Sequence, residues 1–150
     1  QAYQLLSSYL NDGGAAGRDN ALGAGMPDIG RVLNSGQRGI HDAAVASHRI
    51  LPPDAANPYG QVEILVQNRG TETLINTTVR VSTGGAAVST NITSLTPNAV
   101  RTVRVPIYRP PSSGNTRFNV ESQVSLSNGT RDVKPSNDRR SETYVAAGAP

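Results

Sequence analysis

One stretch constrains this chain more than any other: Phe118, Val120, Ser122, Val124 and Leu126 alternate without a break against Asn119, Glu121, Gln123 and Ser125. Side chains of an extended strand point to opposite faces in turn, so a period of two puts one set on a core face and the other in water. A helix would scatter the same residues around its axis. The same alternation recurs upstream. Val62, Ile64 and Val66 alternate with Glu63, Leu65 and Gln67; Val79 and Val81 with Arg80 and Ser82; Val103, Val105 and Ile107 with Thr102, Arg104 and Pro106. Asn68-Arg69-Gly70 supplies a turn, and Pro110-Pro111-Ser112-Ser113-Gly114 breaks the chain again. With further segments at Ala44 to Leu51, Ala86 to Asn91 and Glu142 to Val145, about seven strands are predicted at the spacing of an antiparallel, immunoglobulin-like sandwich. Polar outer faces exclude a buried parallel α/β sheet.

The first forty residues follow a different rule. Leu5, Leu6, Tyr9 and Leu10 fall at i, i+1, i+4 and i+5, which draws an apolar stripe, with Tyr3 beside it, along a short helix ending at Asn11-Asp12-Gly13-Gly14. A Gly- and Ala-rich loop follows. Pro27 and Asp28 then announce a second short helix with Ile29, Val32 and Leu33 on one side and Gly36 past its end. Neither helix is long enough to be stable alone. The chain therefore divides into a helical and loop extension, 1–40, and a β-sandwich, 41–150, making the fold class mainly β.

Charge and composition remove several functions. Thirteen of the 14 basic residues are Arg, scattered along the whole chain, and the five Tyr and one Phe do not flank basic runs; the net charge of +3 therefore does not read as a nucleic-acid footprint. Cysteine is absent, which excludes disulfides, thiolate metal sites and cysteine nucleophiles. No apolar run reaches the ~20 residues that span a bilayer. The chain opens at Gln1 without Met or a signal peptide, the appearance of a processed product or of a piece excised from a longer chain.

Candidate sites are few. Asp12, Asp19 and Asp28 have the oxygen chemistry for calcium but fit no EF-hand spacing, and caps and turns account for each. His41-Asp42 and His48 read as a loop residue and a strand residue rather than an acid–base pair. Gly13-Gly14 and Gly23-Ala24-Gly25 are not set between a strand and a helix of a βαβ unit, as a phosphate loop requires. No cofactor, metal or catalytic group is expected. Three Asn-x-Ser/Thr sequons, at Asn76, Asn91 and Asn128, fall in or beside turns and strand ends, where a sugar could project into water.

Two resemblances to known families are carried by particular residues. Val45-Ala46-Ser47-His48-Arg49-Ile50, the strand and turn Val62 to Thr73 with Asn68-Arg69-Gly70, Leu95-Thr96-Pro97-Asn98, and Pro135-Ser136-Asn137-Asp138 together resemble the CARDB family, Ig-like modules of secreted prokaryotic proteins named for cell adhesion. The last of these segments matches the family's acidic-x-Asn-Asn pattern only in part. The resemblance covers roughly residues 42–146 and implies a binding or spacing role on an Ig-like fold. Residues 11–33, with Asp12-Gly13-Gly14-Ala15-Ala16-Gly17-Arg18-Asp19 and Gly23-Ala24-Gly25-Met26-Pro27-Asp28, look like the C-terminal end of a subtilisin-like serine protease domain. That family's nucleophile, His and Asp segments lie earlier in such a domain and none occurs here, so this chain is not expected to be an enzyme.

The apolar stripe then becomes the informative feature. In a protease it would pack on the catalytic sheet; without one, Tyr3, Leu5, Leu6, Tyr9, Leu10, Ile29, Val32 and Leu33 need another surface, since burying each large side chain is worth roughly 1.5–3 kcal/mol. Three are open to them: the chain's own sandwich, a neighbouring copy, or a catalytic partner from which the chain was cut. The expectation is a non-catalytic extracellular or cell-surface assembly or adhesion subunit that self-associates through this helix and the sandwich, with filaments as one outcome. The rival is an accessory domain of a secreted subtilisin-like protease. The expected partners are thus copies of the chain or an upstream protease domain.

Overall fold

The computed structural model describes residues 1–20, 23–83, 86–108 and 116–146, apart from the side chains of Thr116, Phe118 and Ala146. The expected break at 110–114 and the place of Phe118 in its alternation lie outside the described residues. Seven strands build the sandwich: β3 (Ala43–Leu51), β4 (Gln61–Asn68), β5 (Leu74–Thr83), β6 (Ala86–Leu95), β7 (Val100–Pro106), β8 (Thr116–Ser125) and β9 (Arg139–Ala146). They form two antiparallel sheets, β3-β4-β7 and β6-β5-β8-β9. All seven expected strands are present.

Val45, Val62, Ile64 and Val66 from one sheet meet Val79, Val81, Val120 and Val124 from the other in a fully buried core. β-Branched residues suit this position because their side chains are stiff and fill a pleated surface. Two departures from strict alternation re-aim side chains. A bulge between Val45 and Ser47 turns His48 inward. On β5, two residues rather than one separate inward Leu74 from inward Thr77, and Asn76 absorbs the change with a φ of 51°.

The expectation of one wet face fails on β4. Glu63, Leu65 and Gln67 are buried along with Val62, Ile64 and Val66. Glu63 is covered because Arg49 and Arg104, its neighbours on β3 and β7, both bridge its carboxylate, Arg104 at 2.8 Å. Burial alone would raise the Glu63 pKa, but the two guanidiniums outweigh it and hold the carboxyl below its ordinary range. Gln67 is covered by the extension, and alternation read within β4 carries no trace of that cover.

The extension consists of α1 (Ala2–Ser8), a two-residue hairpin of β1 (Leu10–Asn11) with β2 (Met26–Pro27), and α2 (Ile29–Asn34). Leu10 thus ends in a strand pair rather than in the first helix. Gly25 makes that pairing possible: it adopts a φ of 111°, and a Cβ there would stand 2.7 Å from the Asn11 carbonyl oxygen. Asp28 caps α2, accepting from the Arg31 amide at 3.1 Å.

Candidate interaction surfaces

The motif residues of the sandwich gather at one end, where they tie loops together. Asn68 is fully enclosed. Its Nδ2 donates to the carbonyls of Glu72 and Leu95, both at 2.8 Å, and its Oδ1 accepts from the Gly70 amide at 2.9 Å. One side chain thereby holds the β4–β5 turn against the end of β6 in the opposite sheet. Gly70 is required because a Cβ there would collide with the Ile40 carbonyl oxygen and stand 2.9 Å from the Asp42 amide. Asn98, at a φ of 66°, donates its amide to the Asn68 carbonyl. Asn137 donates through Nδ2 to Asp42 at 2.9 Å.

The extension is clipped onto this same end. Arg31 is buried and spends its guanidinium on four acceptors: the Leu10 carbonyl at 2.8 Å, Asn11 Oδ1 at 3.0 Å, the Arg69 carbonyl at 3.2 Å, and Asn98 Oδ1. Gln67 closes the seam from the sandwich, donating to the Leu10 carbonyl at 2.9 Å and accepting from the Asp12 amide at 3.1 Å. Tyr9 lies under the Arg31 guanidinium at 5.9 Å. Sequence reading passed over Arg31 and Gln67, since a single Arg in a short helix and a Gln in a strand carry no pattern. A cleft of about 340 Å³ runs beside the seam, lined by Asp28, Asp42, Arg69 and Lys134 among others, and this mixture of signs favours neither anions nor cations.

The contact is polar, and half of the eight apolar candidates are exposed rather than covered by it. Tyr3 is 83% exposed, Leu5 51%, Ile29 59% and Leu33 75%, joined by Met26 at 70%, which the sequence analysis did not single out. Leu6, Tyr9, Leu10 and Val32 are half-buried. A groove of about 310 Å³ opens between α1 and the hairpin, lined by Tyr3, Leu6, Leu10 and Pro27. Folding back onto the sandwich therefore covers the backbone of the extension more than its greasy side chains.

The other candidates take structural roles. Asp12 accepts from the amides of Gly13 and Gly17, at 2.8 and 2.7 Å, and Asp19 from that of Ala15 at 3.1 Å. Like the Asp28 cap, these carboxylates are engaged with backbone. His48 Nδ1 meets Ser122 Oγ at 2.7 Å, with Glu142 3.9 Å from Nε2, an order that imitates a hydrolase triad. Ser122, however, is fully enclosed, so no substrate can reach its oxygen. Desolvation holds the His48 pKa below its ordinary value. Asn76, Asn91 and Asn128 are all exposed.

Asp138 is out of balance. Desolvation, reinforced by Asp132 and Asp42, raises its pKa to about 7, and its buried Oδ1 has no hydrogen-bond partner. The native state therefore holds this proton more tightly than the unfolded chain, and stability falls as pH rises from the ordinary 3.8 to about 7. Asp138→Asn is expected to raise the thermal midpoint at pH 8, with the gain shrinking towards pH 4; melting curves at the two pH values check it.

No protein-family model matches the chain, and no curated protein matches it. Among solved structures, a crystal structure of the CARDB domain of the PF1109 protein from Pyrococcus furiosus aligns with a TM-score of 0.58 at 18% identity, covering 72% of this chain and 90% of that one. A solution structure of the same domain gives 0.53 at 21% identity, covering 71% and 94%. The sandwich has the fold of a CARDB domain. The motifs that resemble CARDB in the sequence are the residues that tie the loops at the clipped end: Asn68, Gly70, Asn98 and Asn137. The crystallised CARDB domain was in complex with di-metal ions. Among the described residues here, no group of three or more His, Asp or Glu is placed to hold a metal ion. Likewise, no helix among them is long and apolar enough to cross a membrane.

Proposed function

We propose that this chain is a non-catalytic, extracellular assembly or adhesion module on a CARDB-type fold, which self-associates through the apolar face of its N-terminal extension. One observation carries the reading. The extension is held by the polar Arg31–Gln67 seam, and Tyr3, Leu5, Met26, Ile29 and Leu33 are left facing outward on a segment that is already positioned. A positioned apolar face forfeits little conformational entropy when a partner covers it. Five of the nine large exposed hydrophobics among the described residues fall in this extension, and concentrations of exposed apolar surface mark interaction sites. Residues 1–10 carry no charged side chain, so a second copy meets no like-charge opposition there.

Sedimentation equilibrium of the 150-residue chain tests this. The parent is expected to form larger assemblies than Leu5→Glu/Leu33→Glu, both exposed positions that tolerate the change, because the variant lacks the contact through the extension. A parent chain that remains a monomer alone but binds a subtilisin-like catalytic domain supports the accessory-domain reading instead. Equal association of parent and variant removes the extension as the contact.

A further inference from the structure

The four edges of the two sheets are not alike. β3 is interrupted by the bulge at Val45/Ser47, and its Ala43 amide and Val45 carbonyl are already taken, by Asp132 at 2.8 Å and Arg140 at 3.3 Å. β7 carries Arg101, Arg104 and Pro106. β9 carries Arg139, Arg140 and Glu142. Charges, bulges and proline are the devices that keep sheet edges from pairing with other chains. β6 has none of them. Its ten residues, Ala-Ala-Val-Ser-Thr-Asn-Ile-Thr-Ser-Leu, contain no charge, no proline and no glycine, and their register with β5 is continuous from Thr77↔Ile92 to Thr83↔Ala86. Among the described residues, no backbone hydrogen bond from outside the β5 pairing reaches Ala86–Ser94.

We infer that the β6 edge is a pairing site for the β6 strand of a second copy, joined antiparallel about a two-fold axis into one eight-stranded sheet. Several observations favour a second copy over a foreign peptide. Side chains directly opposite in such a pair share a face of the sheet. A register centred on Thr90 therefore sets Ser89 of one copy against Asn91 of the other, a hydrogen-bonding pair free of like charge. The same two-fold operation at β7 or β9 would lay together two strands that each carry a net positive charge. None of the clefts described above borders β6. The contact is isologous, uses residues far from the extension in sequence, and stands independently of the function proposed above.

The test uses the 150-residue chain carrying Leu5→Glu/Leu33→Glu, which removes the extension as a contact and leaves β6 intact. This chain is expected to form a dimer in sedimentation equilibrium, and adding Ser89→Lys/Asn91→Lys, which opposes lysines across the two-fold, is expected to raise the dimer dissociation constant roughly tenfold or more. Deuterium exchange of β6 amides slows as the chain is concentrated, while the lysine variant keeps the same exchange in the β5 and β8 core. A chain that stays monomeric to concentrations on the order of 1 mM overturns the inference, as does a lysine variant that dimerises equally well. Either failure leaves the extension proposal untouched, because that contact is absent from both proteins.

Discussion

Asn68→Ala is expected to cost about 3 kcal/mol and to lower the thermal midpoint of the sandwich by well over ten degrees, roughly 4–8 °C for each kcal/mol in a domain of this size. Alanine leaves three backbone groups without their partner. The Leu95 carbonyl loses its donor and the Gly70 amide its acceptor in buried positions, and the half-buried Glu72 carbonyl loses its donor as well. An unmade hydrogen bond of this kind costs the full desolvation of the orphaned group, more than the modest net value of the bond itself. The defect also lies where the two sheets are held in register, so no local loop movement relieves it. Asn68→Asp provides a control: it keeps the acceptor for Gly70 but turns a carboxylate oxygen toward two carbonyls, and it should be at least as damaging at neutral pH. Urea or thermal unfolding measures both.

Arg31→Ala is expected to release the extension while leaving the sandwich folded. The guanidinium is the hub of the seam; its removal takes the donor from the Arg69 carbonyl and from the Asn11 and Asn98 side-chain oxygens, and leaves the Leu10 carbonyl with Gln67 alone. Little else holds α1 and α2, because neither helix buries an apolar side chain and both are too short to persist alone. A loss of about 2–3 kcal/mol in docking should speed deuterium exchange roughly 30-fold or more across residues 9–12 and 26–34, with the β5 and β8 amides unchanged. Limited proteolysis is then expected to remove the extension first. Arg31→Lys should rescue only in part, since an ammonium cannot reproduce the planar set of donors that serves four acceptors.

The sandwich was legible in the sequence because its strands obey a local rule. Val79/Val81 against Arg80/Ser82 declares which face is buried without reference to any other strand. The helix cap at Asp28 and the turn at Asn68-Arg69-Gly70 are local in the same sense. What escaped notice depends on distant partners. Glu63 looks like a solvent residue until Arg49 and Arg104 arrive on either side of it, and Gln67 until the Leu10 carbonyl and the Asp12 amide close over it. Arg31 has an unremarkable place in a six-residue helix, and only the fold sets four acceptors around it. The apolar stripe was visible in Leu5, Leu6, Ile29 and Leu33, but its cover was not: the extension does return to the sandwich, as polar backbone rather than as greasy surface. Met26 joined the patch through the hairpin, a pairing of two residues on each strand that no periodicity announces.

Met26 is also the chain's single methionine, so its oxidation rate reports directly on whether the outward face of the extension is free or covered. In dilute solution, peroxide is expected to convert it to the sulfoxide at nearly the rate of a free methionine. As the chain is concentrated into its self-associated form, that rate should fall at least several-fold, and Leu5→Glu/Leu33→Glu should abolish the protection. A rate that is slow at every concentration, or fast at every concentration, contradicts an apolar face held ready for another copy.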